Sequence, residues 1–66
     1  MTARWLLLRD RFTPRQREQW GRVLAAYSRD GALNRAQLDY LAQQVADDAV
    51  IDPGKVQALG APVSAP

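Results

Sequence analysis

Three times in 66 residues the chain repeats one local pattern, an apolar residue followed by a helix-capping residue and then a helix-forming run. Phe12-Thr13-Pro14 places an N-cap threonine before a proline at the first helical position, with Gln16 at N3. Proline suits that place because first-turn N–H groups lack partners inside a helix, and the Thr/Gln pair makes a capping box. Leu33-Asn34-Arg35 repeats it, with Asn34 as cap, Gln37 at N3 and Leu38 set to staple onto Leu33. Ile51-Asp52-Pro53 is the third, with Val56 positioned to meet Ile51. Three such starts in so short a chain predict an all-α fold.

Apolar spacing then sets the extents. Trp20, Val23, Leu24 and Tyr27 follow i, i+3, i+4, i+7 after Pro14, and Leu38, Leu41, Ala42, Val45 and Ala49 do so after Asn34. On the second of these runs Asp39, Gln43, Gln44 and Asp47 are expected to face outward. Gly21, in mid-helix, is expected to admit a close neighbouring backbone at a cost of about 1 kcal/mol relative to Ala. Asp47 and Asp48 oppose the helix dipole and favour termination there. The four consecutive apolar residues Trp5 to Leu8 have no alternating run to pair with as a strand, so they read as a helix with Trp5, Leu8 and Phe12 on one face. The expectation is a small bundle of three main helices over about residues 3–11, 14–28 and 34–48, plus a short fourth over about 53–59 that Gly60 and Pro62 stop. Residues 1–59 form the single domain in this reading, and 60–66 a flexible, extended Pro/Ala-rich tail.

A chain of this length buries only about 60 % of its unfolded surface, so its stability is expected to be small. The eighteen large apolar side chains between Trp5 and Leu59 suffice for a small helical core. No cysteine is present to staple it, and neither His nor Cys to hold a structural metal. The run RWLLLR is too short for a signal peptide, and nothing approaches the roughly twenty apolar residues of a membrane span. A soluble cytoplasmic protein that makes no membrane contact is expected. Eight arginines against one lysine suit a GC-rich bacterial or phage genome.

The net charge of +2 conceals an asymmetry. Residues 1–35 carry eight arginines against Asp10, Glu18 and Asp30, a net +5, whereas residues 36–66 carry Lys55 against Asp39, Asp47, Asp48 and Asp52, a net −3. Such a chain can attract a polyanion, an acidic protein or a second copy of itself.

Catalysis finds little support. There is no His for acid–base work at neutral pH and no Cys nucleophile, while Ser28 and Ser64 have no evident activating base. The stretch SRDGALNRAQ resembles the centre of an EF-hand calcium loop aligned on residues 26–37. Its ligand positions fail, with Ala26 where Asp is needed, Ser28 at the third place and Gln37 in place of the bidentate Glu. Asp30 and Gly31 read instead as a turn between helices. No metal, cofactor or catalytic residue is assigned.

Two contact modes remain. Trp5, Leu6, Leu7, Arg9 and Arg11 offer a mixed apolar and cationic surface for a protein partner, extended by Arg15 and Arg22, with Tyr40 off the main stripe as a further contact. The alternative is nucleic acid: Arg4 with Arg11, and Arg15 with Arg22, share helix faces, and side-by-side packing of those helices would align them toward phosphates. The run LAQQVADDAVIDPGKVQALG loosely resembles a helix-turn-helix, but its second helix supplies only Lys55 and Gln57 for a groove. The sequence thus points to a non-catalytic helical interaction module that regulates or stabilises its partner, with self-association through the basic and acidic halves as a third possibility.

Overall fold

Thr13 caps the helix that follows it. Its hydroxyl accepts from the Gln16 N–H at 3.2 Å, the Gln16 side chain accepts from the Thr13 N–H at 2.9 Å, and Pro14 opens the first turn. Asn34 and Gln37 form the same reciprocal pair at 2.8 and 2.9 Å. Asp52 caps the last helix by accepting from the Gly54 N–H at 2.9 Å. The computed structural model describes residues 3–28 and 33–60, and these starts generate α2 (Pro14–Tyr27), α3 (Arg35–Ala46) and α4 (Pro53–Gly60) behind a first helix, α1 (Arg4–Asp10). The fold is all-α, three main helices and a short fourth, with no strand among the described residues. The turn expected at Asp30 and Gly31, and the tail beyond Gly60, lie outside them.

α3 is the hub, packing closely against α1, α2 and α4. Leu41 and Ala42 are fully buried at its centre, and Phe12, Trp20, Val23, Val45 and Val56 complete the core. Trp5, Leu8, Leu24, Tyr27, Leu33, Leu38 and Ile51 pack around that core, which includes the apolar partners of all three helix starts. Aromatic rings connect α1 to α2: Trp5 stacks on Trp20 at 6.2 Å between centroids, and Phe12 meets the same indole edge-on at 5.8 Å.

α3 ends two residues before the expected position, through a Schellman motif. Asp48 adopts φ 52°, its N–H donates to the Val45 carbonyl at 3.2 Å, and the Ala49 N–H donates to Gln44 at 2.9 Å. Ala49 therefore lies beyond the helix and is exposed, not part of the buried stripe. The last four carbonyls of α3 are all satisfied. Gln43 accepts from Asp47, Gln44 from Ala49, Val45 from Asp48, and the Gln16 side-chain amide donates to both Val45 and Ala46 at 3.3 and 3.2 Å.

Two further expectations are corrected. A Cβ built on Gly21 meets nothing within 4 Å, so this glycine faces outward and admits no neighbouring backbone. Asp39 and Gln43 do not face away from the fold. Because α3 is surrounded by three helices, its polar flank meets α1: Asp39 accepts from the Trp5 N–H at 3.0 Å and Gln43 from the Arg4 guanidinium at 2.8 Å. Ala3 gives α1 no side-chain cap, and the carboxylate of Asp39 supplies one from another helix.

Candidate interaction surface on the first helix

α1 is amphipathic in an unusual distribution. Trp5 and Leu8 face the core, Leu7 and the C-cap Arg11 stand exposed, and Arg4, which shares their i, i+3, i+7 row, turns its guanidinium onto Gln43 of α3. Leu7 is 53 % exposed. Leu6 is partly buried but belongs to neither the core nor its packed surround. The neighbouring acid on this surface is Asp10, exposed like Arg11.

The other residues that the sequence assigned to partner binding divide by surroundings. Trp5 turns its ring onto Trp20, and the Arg9 guanidinium lies 5.4 Å from the Trp5 centroid. Arg9, Trp5, Trp20 and Phe12 thus form one continuous cation–aromatic column, with a cation on its outer end. Tyr40 sits at the junction of α3 and α4, where its hydroxyl accepts from the Asp52 N–H at 3.1 Å and the Lys55 ammonium lies 5.1 Å from its ring. It packs at the edge of the fold and holds the start of α4.

The four arginines of the alternative nucleic-acid reading are spread over two settings. Arg4 reaches inward to Gln43, while Arg11 stays exposed on α1. Arg15 and Arg22 share the outer side of α2 with Glu18 between them, and Arg22 approaches that carboxylate at 3.4 Å. α1 makes its close backbone contact with α3 and meets α2 through aromatic rings.

An open cleft of about 500 Å³ separates the start of α2 from the end of α3, lined by Thr13, Arg15, Gln19, Gln44 and Asp48 among others. None of the ionisable groups that line it is buried. Among the described residues no group of three or more His, Cys, Asp or Glu side chains is placed to hold a metal ion, and no helix is long and apolar enough to cross a membrane.

No known family model matches the chain, and neither a curated protein nor a solved structure does.

The contacts of Asp39 and Gln43 with α1 have no signature in the sequence. The donor roles of Gln16 and of Gln37, whose side-chain amide donates to the Val56 carbonyl of α4, do have one, since both capping boxes use Gln where Glu serves equally well as acceptor, and only Gln brings a donor.

Proposed function

We infer that this protein is a non-catalytic interaction module that binds an acidic protein partner through the outer face of α1 and regulates or stabilises it. The observation that carries the reading is Leu7, a large apolar side chain 53 % exposed between Arg4 and Arg11 in sequence, on a helix that packs Trp5 and Leu8 against the core. Leucine set among arginines suits a partner that offers an apolar pocket ringed by carboxylates, and the desolvated leucine then supplies the anchor while the charges set orientation. Arg15 and Arg22 on α2 extend the positive field along the approach. Arg9 and Trp5 act one step behind, as the packed support that fixes α1 in place. A cytoplasmic setting, in a bacterium or phage, belongs to the same proposal and rests on an arginine-rich composition without cysteine.

The test is capture from a bacterial lysate by the immobilised chain, beside Leu7→Asp and Arg11→Glu. Both positions are exposed, so unchanged thermal melts are expected for the variants. A protein retained by the wild type and lost by both variants is the expected result; equal retention by all three overturns the assignment. A parallel titration with random duplex DNA examines the alternative. Binding that falls steeply with salt, with no protein retained, would transfer the arginines to phosphate recognition.

A further inference from the structure

Among the described residues, two large apolar side chains stand exposed, and the charges around them have opposite signs. Leu7, 53 % exposed, lies in a segment holding Arg4, Arg9 and Arg11 against Asp10. Val50, 90 % exposed, lies between Asp47 and Asp48 on one side and Asp52 on the other, with no basic residue in the segment.

The Val50 segment is held at both ends. On its N-terminal side the Schellman motif fixes Asp48 and Ala49. On its C-terminal side Ile51 packs against the core, the Asp52 N–H donates to Tyr40, and the Asp52 carboxylate caps α4. An apolar side chain carried on a braced segment loses little conformational freedom when covered. Arg15 lines the same cleft as Asp48, Lys55 lies over the Tyr40 ring, and the three carboxylates of this end outnumber them.

We propose that a second copy of this chain occupies the α1 face, with Val50 and its aspartates of one copy docking on Leu7 and Arg11 of the next. The inference rests on the reading of α1 as a contact surface and names one occupant for it. The two patches are different parts of the chain, so the contact is heterologous: each copy keeps one free basic face and one free acidic end, and assembly runs head to tail. Pairing of opposite charges around a small apolar contact makes it weak and salt-sensitive. Self-association then covers the surface that a foreign partner would use, so the two compete.

Sedimentation velocity from about 10 μM to about 1 mM, at low and high salt, tests this. The weight-average mass is expected to rise with concentration above the 7.4 kDa monomer and to fall as salt is added. Leu7→Asp alone and Val50→Asp alone are each expected to stay monomeric with unchanged melts. An equimolar mixture of the two variants is expected to reach twice the monomer mass and stop there, because each contributes one intact surface. Arg11→Glu and Asp47→Lys, as a second pair, separate loss of charge complementarity from any local effect of the first substitutions. A wild type that stays monomeric throughout overturns the proposal, as does a wild type that stops at a dimer which the mixed variants fail to restore. A monomeric wild type that still captures a lysate protein through Leu7 removes the second copy while keeping the α1 surface.

Discussion

The side-chain amide of Gln37 donates to the Val56 carbonyl of α4 at 2.9 Å, while its own carbonyl oxygen accepts from the Asn34 N–H at the start of α3. Asn34 completes the junction by donating from its side-chain nitrogen to Leu59 at 2.9 Å. Gln16 repeats the device at the opposite end of α3, accepting from Thr13 and donating to Val45 and Ala46. Each capping box therefore binds a neighbouring helix as well as starting its own.

Glutamate in place of glutamine separates these roles. Gln37→Glu keeps the acceptor that a capping box needs, loses the donor to Val56 and sets a carboxylate against a helix carbonyl. In an ordinary capping box the exchange is neutral. Here a loss of about 1–2 kcal/mol is expected, and Gln16→Glu should behave alike at the end of α3. Urea denaturation followed by circular dichroism measures both; unchanged midpoints would show that the donors contribute nothing.

Two glycines with opposite surroundings give a second test. Gly21 lies in mid-helix with open space where a Cβ would sit, so Gly21→Ala should stabilise the fold by about 1 kcal/mol. A Cβ at Gly60 would collide with the Gln37 side-chain amide, which is held by its hydrogen bonds. Gly60→Ala should therefore destabilise by about 1 kcal/mol despite the better helix propensity of alanine. If the Gly60 substitution raises the melting temperature, the clamp yields more easily than its geometry implies.

Asp48 holds a left-handed conformation at φ 52°, next to the negative end of the α3 dipole. Both conditions disfavour aspartate and neither disfavours glycine. Asp48→Gly is expected to stabilise by about 0.5–1 kcal/mol, and Asp48→Asn by less, in thermal melts at low salt. A destabilised glycine variant would contradict the Schellman assignment.

The helices were legible because their starts are local. Thr13, Asn34 and Asp52 cap from within one turn, and the apolar partners follow at fixed spacing. The end of α3 was less legible. Asp47 and Asp48 correctly marked termination, but the positive φ at Asp48 moved the boundary and removed Ala49 from the stripe. What the spacing misassigned was the polar flank of α3. Periodicity separates apolar from polar positions, and it cannot tell a polar residue facing water from one facing a neighbouring helix terminus. A central helix with three neighbours has little flank left for water, so Asp39 and Gln43 were drawn into contact with α1. Gly21 failed for a related reason, since close approach depends on which helix lies opposite. In the α1 site, Leu7 and Arg11 stand exposed and Leu6 is partly buried, while Trp5 and Arg9 were taken by the aromatic column.

Asp39 supplies the sharpest check on how α1 is held. Its carboxylate accepts from the Trp5 N–H in the first turn of α1, a helix of seven residues with no cap of its own. So short a helix is unstable alone and depends on docking. Asp39→Ala removes both the hydrogen bond and the negative charge at the positive end of the α1 dipole, and a loss of about 1–2 kcal/mol is expected. Asp39→Asn keeps an acceptor and should lose about half as much. Loosening α1 also lifts Trp5 from Trp20, so the alanine variant should show red-shifted tryptophan emission and weaker near-ultraviolet dichroism under conditions where far-ultraviolet dichroism is nearly unchanged. That combination places the loss at the α1 junction. A variant with wild-type stability and wild-type tryptophan spectra would mean that the Trp5–Trp20 stack holds α1 without help from Asp39.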